Sequence, residues 1–200
     1  MLELILHHRY RDGRMDDLSG HGNHGYGALG TADGPEEADS ALLFDGAGSR
    51  IFVPPSPSLR RSGAVRASLT FRTDGLRHRQ TLIEGYLSFA FFIEGDGSLG
   101  VGLYRSTEWS GVRSEPRTVP AGDWVTASFC YDGLDTCALY LDGRLVGSVH
   151  QRLGPAQPVS WPFGLSIGAW PDADQRVFSG RLAEVRLWRA PLTSRPFTPA

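Results

Sequence analysis

Apolar and polar residues alternate along most of this chain, in short segments separated by turn-forming sequences. Period-two alternation places the apolar side chains of a segment on one face, which is typical of a β-strand with one buried side. The chain also contains 25 glycines and 13 prolines among 200 residues. Because these residues cost roughly 1 and 3 kcal/mol in a helix interior, a helical bundle rarely contains so many of them. The pattern predicts an all-β fold.

The alternation predicts roughly a dozen strands and no convincing amphipathic helix. The predicted strands are Leu2–Tyr10, Ala41–Phe44, Arg50–Val53, Val65–Phe71, Gln80–Ile83, Tyr86–Ile93, Leu99–Tyr104, Trp124–Tyr131, Cys137–Leu141, Arg144–Val149, Phe163–Ile167, Val177–Phe178 and Arg181–Trp188. The turn sequence Glu94–Gly97 joins two of them in the clearest hairpin. Gly30–Ser40 and Pro116–Asp123 are predicted loops. This number of strands favours a sandwich or a barrel.

The clearest hairpin also shows which of its residues face the core. The predicted core residues are Leu87, Phe89, Phe91, Ile93, Leu99, Val101 and Leu103. The opposite face carries small residues flanked by two tyrosines, namely Tyr86, Ser88, Ala90, Gly100, Gly102 and Tyr104. Such a face would suit the floor of a groove, but a solvated or sheet-covered surface would have the same composition. Both interpretations remain open.

Strand parity separates the two cysteines. Cys130 is expected to point outward and Cys137 inward on neighbouring strands. A disulfide needs Cβ atoms about 4 Å apart, which opposite faces do not allow without a bulge. We therefore predict two free thiols, which would fit a reducing compartment.

The charges do not indicate a nucleic-acid or membrane partner. The 20 basic residues, all arginines, are scattered and balanced by 22 acidic residues, so no basic stripe is present. No apolar run approaches the roughly 20 residues that a membrane helix needs. The N-terminus, Met1–Arg9, has an apolar run too short for the h-region of a signal peptide and no basic segment before it. We expect a cytoplasmic protein unless a leader has been removed.

Six short motifs follow one another along the chain. They are Asp17–Gly25 (DLSGHGNHG), Ala41–Gly46 (ALLFDG), Trp124–Gly133, Leu139–Gly143 (LYLDG), Leu165–Gly168 (LSIG) and Phe178–Leu192. In this order they resemble the laminin G-like jelly-roll domains of the concanavalin A-like and pentraxin-like superfamily. The resemblance spans about residues 5 to 192. It implies one domain over residues 1–192, a tail over 193–200, and a two-sheet antiparallel jelly-roll sandwich.

The resemblance also raises the question of a structural calcium ion. Relatives often hold Ca²⁺ with an N-terminal side chain, a carbonyl of the early glycine-rich loop and an Asp of the last motif. Ala183 stands in the place of that Asp. Asp16, Asp17 and Asp45 remain candidate calcium ligands, since Ca²⁺ prefers oxygen ligands. Glu184 is expected to point the other way along the strand.

Histidines of the early loop give a second metal hypothesis. His21 and His24 could converge with Asp16, Asp17 and Asn23 on one ion. We favour the alternative that they occupy variable positions of a turn whose glycines supply positive φ.

The sequence contains no recognisable catalytic motif. A glycosidase on this scaffold needs paired carboxylates on one strand face, and the chain lacks the E-x-D-x-x-E pattern that supplies them. The nearest imitation, Glu94–Asp96, falls in a predicted turn. We therefore do not expect an enzyme; a hydrolase-like activity is the least favoured alternative.

Two tryptophans in predicted loops are the main candidates for ligand binding. They are Trp109 and Trp170, and the second is followed by Asp172 and Asp174. Sugar recognition uses an exposed ring for C–H faces and carboxylates for hydroxyls. Alternatively, the rings cover the sandwich edge or a subunit contact.

These residues lead to two functional hypotheses. The first is a lectin-like module that binds a glycan or a protein surface through the tryptophan loops, the Asp17–His24 segment, Tyr86 and Tyr104. The second is a structural or assembly subunit, such as a homo-oligomer, that uses the same loops for protein contacts.

Overall fold

The computed structural model describes residues 1–36, 40–61, 63–105, 108–151, 153–159, 163–171 and 176–190. The strands are β1 (Glu3–Arg9), β2 (Gly30–Asp33), β3 (Ser40–Asp45), β4 (Ile51–Val53), β5 (Ala64–Thr73), β6 (Gln80–Gly85), β7 (Phe89–Ile93), β8 (Leu99–Arg105), β9 (Glu108–Arg113), β10 (Trp124–Tyr131), β11 (Thr136–Leu141), β12 (Arg144–His150), β13 (Leu165–Ile167) and β14 (Ser179–Ala190). Within these ranges the helical element is one 3₁₀ turn, Arg11–Gly13. No described helix has the length and apolarity to span a bilayer. The all-β prediction is confirmed.

The strands form two antiparallel sheets. The eight-stranded sheet has the order β12-β11-β10-β5-β14-β3-β2, with β1 also paired to β14. β14 pairs with β5 along its length, with β3 at its beginning and with β1 farther along. The six-stranded sheet has the order β4-β13-β6-β7-β8-β9. This is the two-sheet antiparallel sandwich that the sequence predicts.

Aromatic side chains join the two sheets in the core. The ring centroid of Phe129, on β10, lies 5.5 Å from that of Phe89 and 5.1 Å from that of Phe91, both on β7. All three side chains are fully buried. Burial of such a side chain contributes roughly 1.5–3 kcal/mol to folding, so these contacts hold the six-stranded sheet against its partner.

Two strands were not predicted because both lie at sheet edges. β2 occupies the first part of the predicted loop Gly30–Ser40, and β9 occupies the region around Trp109 that was also predicted as a loop. Most residues of both strands are exposed or half-buried. An edge strand that buries little of either face does not show the apolar alternation on which the prediction depended.

Leu87 corrects the predicted set of core residues. The other six residues of the set are buried, whereas Leu87 is half-buried in the turn between β6 and β7, with φ of 54°. The predicted strand Tyr86–Ile93 therefore begins only at Phe89. The residues before Phe89 form the tight turn that connects β6 to β7.

The two cysteines lie on opposite faces of the eight-stranded sheet, as predicted from strand parity. Cys137 pairs with Tyr131 and Cys130 pairs with Ala138 in the β10–β11 register. Cys137 belongs to the core, and both thiols are free and buried. Burial raises the pKa of Cys130 to about 11 and raises the pKa of Cys137 further.

Candidate functional site

A row of outward-facing residues crosses the six-stranded sheet. In register order it contains Phe52, Ser166, Glu84, Ala90, Gly102 and Gly111. The chain neighbours of this row, such as Ile83, Phe91 and Val101, belong to the core, so the row faces away from it. From Ala90 onward the side chains are small. A cleft of about 530 Å³ lies over this part of the sheet.

The indole of Trp109 lies over the cleft floor. A Cβ atom at Gly102 would stand only 3.0 Å from Cε3 of Trp109, so the missing side chain of Gly102 leaves room for the ring. The phenol of Tyr104 packs against the indole edge-on, with 5.4 Å between ring centroids. Even so, Trp109 is 46% exposed. The ring is held in place yet remains open to a ligand.

A charged cluster forms another wall of the cleft. Nε of Arg79 donates to both carboxylate oxygens of Glu94 at 3.1 Å, and Nη2 of Arg113 lies 2.8 Å from Oε1 of Glu94. Both guanidiniums also approach the ring of Phe92, at 4.2 Å and 5.7 Å from its centroid. The Phe92 ring in turn lies over Gly100, where a Cβ atom would collide with it.

A third wall comes from the segment that follows β13. Trp170 lines the cleft there, and the guanidinium of Arg176 stacks 4.6 Å from the centroid of its ring. Glu84 lies in the floor near this wall and is only 2% exposed. The cleft thus combines aromatic rings with positive and negative groups.

The structure brings some of the predicted ligand-binding residues together. Trp109 and Trp170 both line the cleft, although Trp109 lies on β9 rather than in a loop. Tyr104 supports Trp109. Tyr86 stacks on Phe163 instead, with 4.3 Å between ring centroids, and is not part of the lining. Asp172 and Asp174 fall outside the described residues, so their role stays a prediction.

Several lining residues were missed by the sequence interpretation. Phe92 shares the outward face with Ala90, and strand parity could have identified it within the apolar run of β7. Arg79, Glu84 and Arg113 carried no such signal, because Arg79 precedes β6, Glu84 lies on β6 and Arg113 ends β9. Of the residues predicted for this face, Ala90 and Gly102 line the cleft, whereas Ser88 is buried and donates to the Gln157 carbonyl.

Asp17 organises the early glycine-rich loop. Its carboxylate accepts hydrogen bonds from the backbone N–H groups of His7, Ser19 and Asn23, at 2.9–3.0 Å. Burial alone would raise the pKa of Asp17, but these hydrogen bonds outweigh it and lower the pKa. The Asp17 oxygens, which are predicted calcium ligands, therefore accept hydrogen bonds that stabilise the loop.

The other predicted metal ligands also have partners within the protein. Oδ1 of Asp45 accepts the backbone N–H groups of the three residues Ala47–Ser49, which lowers the pKa of Asp45. Asp16 pairs with Arg14 at 3.2 Å. His21 pairs with Glu3, while Nδ1 of His24 accepts the N–H of Asp17.

The described ranges contain no group of three or more His, Cys, Asp or Glu side chains that could hold a metal ion. Asp16, Asp17 and Asp45 each have separate protein partners, the calcium ion stays a prediction, and no function is derived from one.

A β-bulge corrects the expected direction of Glu184. The β14–β5 register shifts between Leu182 and Glu184, and Ala183 and Glu184 border the same small cavity with Tyr10. Strict alternation would have placed these neighbours on opposite faces, but the extra residue of a bulge interrupts it. The Glu184 carboxylate lies 2.9 Å from His7 Nε2 and 2.8 Å from Arg186 Nη2.

One family model matches most of the chain. It is described as the concanavalin A-like lectin/glucanases superfamily and matches residues 45–195. No curated protein is significantly similar to the chain in sequence.

Solved structures with the same fold include several binding domains. Domain 4 of AbnA, a GH43 extracellular arabinanase from Geobacillus stearothermophilus solved in complex with arabinotriose, has a TM-score of 0.73 and 20% identity over 96% of this chain and 95% of its own. The sialidase CBM40 of Ruminococcus gnavus bound to α2,3-sialyllactose has a TM-score of 0.59 and 15% identity over 84% of this chain and 95% of its own.

A toxin domain also has the same fold as this chain. The binding domain of Paraclostridial Mosquitocidal Protein 1 has a TM-score of 0.77 and 15% identity over 96% of this chain. The chain spans 50% of that domain. At these identities the likeness concerns the fold alone.

Proposed function

The chain belongs to the concanavalin A-like lectin/glucanase superfamily, and from this premise we propose that it is a non-catalytic module that binds a glycan in the cleft of its six-stranded sheet. One observation carries the proposal: the indole of Trp109 lies over Gly102 in the cleft floor and is 46% exposed. Ligand pockets are typically concave and lined by aromatic side chains with a small number of polar groups, as this cleft is.

The cleft has the mixture of groups that a saccharide requires. The C–H face of a sugar ring can pack on the indole of Trp109 or Trp170, while the sugar hydroxyls can accept hydrogen bonds from the guanidiniums. The supports of Trp109 hold the ring before a ligand arrives. Preorganisation of this kind lowers the entropic cost of binding.

The acidic groups of the cleft favour binding over hydrolysis. Glu84 is the one carboxylate among the described lining residues, and the neighbouring Glu94 carboxylate is already bonded to Arg79 and Arg113. Glycoside hydrolysis ordinarily needs two carboxyl groups on either side of the scissile bond. The solved relatives that carry arabinotriose and sialyllactose also support a glycan-binding role.

A saccharide array followed by isothermal titration calorimetry tests the proposal. We expect at least one saccharide to bind, and Trp109→Ala to weaken its binding at least tenfold. Tyr26→Ala is the matched control, because Tyr26 is an exposed ring outside the cleft lining. The absence of saccharide binding, or equal binding by wild type and Trp109→Ala, would overturn the proposal.

A second candidate function is contact with another protein chain. Tyr26 and Phe52 form an antiparallel bridge, so their rings share one side, and both are exposed. Light scattering tests this alternative. A stable oligomer that Phe52→Ser dissociates, together with no saccharide binding, would favour it over the glycan proposal.

A further inference from the structure

The cleft contains two guanidiniums that share one carboxylate, and from this we infer that its ligand is an acidic saccharide whose carboxylate binds Arg79 and Arg113. The inference rests on the proposed function and narrows it to a substrate class. Its structural basis is the cluster formed by Arg79, Phe92, Glu94 and Arg113.

Glu94 holds both arginines in position but does not use all of their N–H donors. The Glu94 carboxylate contacts Nε and Nη2 of Arg79 and Nη2 of Arg113. A carboxylate accepts about four hydrogen bonds, whereas two guanidiniums carry about ten N–H donors. The cluster therefore keeps N–H donors that Glu94 does not use.

The cluster is exposed where a ligand would reach it. The side chain of Glu94 is 15% exposed, whereas those of Arg79 and Arg113 are 30% and 56% exposed. The carboxylate thus lies beneath the guanidiniums, and the positive groups form the accessible surface. Both arginines and Phe92 are lining residues of the cleft.

The guanidinium planes are restrained before binding. Arg79 stacks on the Phe92 ring at 4.2 Å, while Glu94 lies in a turn closed by hydrogen bonds from its own N–H to the Ser98 carbonyl and from Gly97 N–H to its carbonyl. A planar fork held in this way suits a carboxylate, because guanidinium and carboxylate groups can form paired hydrogen bonds.

The cluster and the aromatic platform lie on opposite sides of the cleft floor. Along β9, Trp109 and Arg113 are separated by four residues, which corresponds to roughly 13 Å of extended strand. The row of Gly102 and Gly111 runs between them. A ligand that stacks on Trp109 and reaches Arg113 has room to extend over this row, so the probes are acidic oligosaccharides.

The test compares each acidic ligand with its own uncharged form. The probes are oligosaccharides that contain galacturonate, mannuronate, glucuronate or N-acetylneuraminate, each paired with its methyl ester. We expect at least one acid to bind roughly tenfold or more tightly than its ester, and the difference to shrink as salt increases. Arg113→Gln should abolish the preference, and Arg113→Lys should restore it only in part.

Arg144→Gln is the matched control, since it removes the same charge from an exposed position on β12. Equal binding of acids and esters, or preference for neutral or sulfated saccharides over every carboxylate, would overturn the inference while leaving the glycan proposal standing. Failure of all saccharides to bind would overturn both. An acid preference that persists in Arg113→Gln would also overturn the assignment to this cluster.

Discussion

The indole of Trp109, on β9, packs over Gly102, on β8, and occupies the space that any side chain at position 102 would need. The floor of the cleft and its aromatic platform therefore depend on each other. A residue that contributes no side chain determines where the ring lies.

Gly102→Val should weaken ligand binding without unfolding the protein. The added methyl groups would push the indole off the floor, while a β-branched residue remains compatible with a strand. We expect the affinity to fall toward that of Trp109→Ala, measured by calorimetry, with unfolding stability reduced by about 1–2 kcal/mol. Gly30→Val is the control, because nothing lies within 4 Å of a Cβ at that position. Unchanged affinity would contradict the pairing.

Phe129→Ala should cost much of the stability that joins the two sheets. The ring contacts Phe89 and Phe91 across the core, and its removal leaves a cavity between sheets. We expect a loss of about 3–5 kcal/mol in the free energy of unfolding, measured by urea denaturation. Leu145→Ala, at an exposed position, should change it by less than about 0.5 kcal/mol. Similar values for the two variants would show that the ring does not connect the sheets.

Folding stability should fall as the pH drops below 6.5 because of His8. The ring is fully buried, with Nε2 2.8 Å from the Asn23 carbonyl. Burial lowers the pKa of His8 below its ordinary value of 6.5. The Asn23 carbonyl and Asp17 raise this pKa and offset part of the effect, whereas His24 and His7 lower it further. Between the folded and unfolded pKa values the unfolded chain binds more protons, so acid favours unfolding there.

The measurement is the urea midpoint as a function of pH. His8→Gln should flatten the curve in the range above carboxylate titration, whereas His150→Gln, at an exposed position, should not. A pH profile that is identical in wild type and His8→Gln would contradict the role of His8.

Both cysteines should resist alkylation in the native protein. Burial raises the pKa of Cys130 to about 11, raises that of Cys137 as well, and also blocks access of the reagent. Because the thiolate is the reactive form, native protein at pH 8 should react slowly and unfolded protein rapidly at both sites. Mass spectrometry without reductant distinguishes the outcomes. An unfolded chain that takes up no reagent would reveal a disulfide and contradict the predicted free thiols.

The hairpin of β7 and β8 shows what local pattern could predict. Alternation and the turn Glu94–Gly97 identified both strands, their inward residues and the small outward residues Ala90 and Gly102. Alternation failed at Leu87 and at Ala183, where a tight turn and a bulge interrupt the two-residue period. It also failed for β9, since an edge strand buries too little to carry the signal.

The site needed information that no single segment contains. Arg79 precedes β6, Glu94 follows β7 and Arg113 ends β9, so only the pairing of those strands unites them. The composition and local spacing were sufficient for most of the strands, their buried faces and the two-layer architecture, because burial acts on each strand through its own alternating side chains. The arrangement of the cleft followed from strand order and register, which depend on hydrogen bonds and packing between residues far apart in the chain.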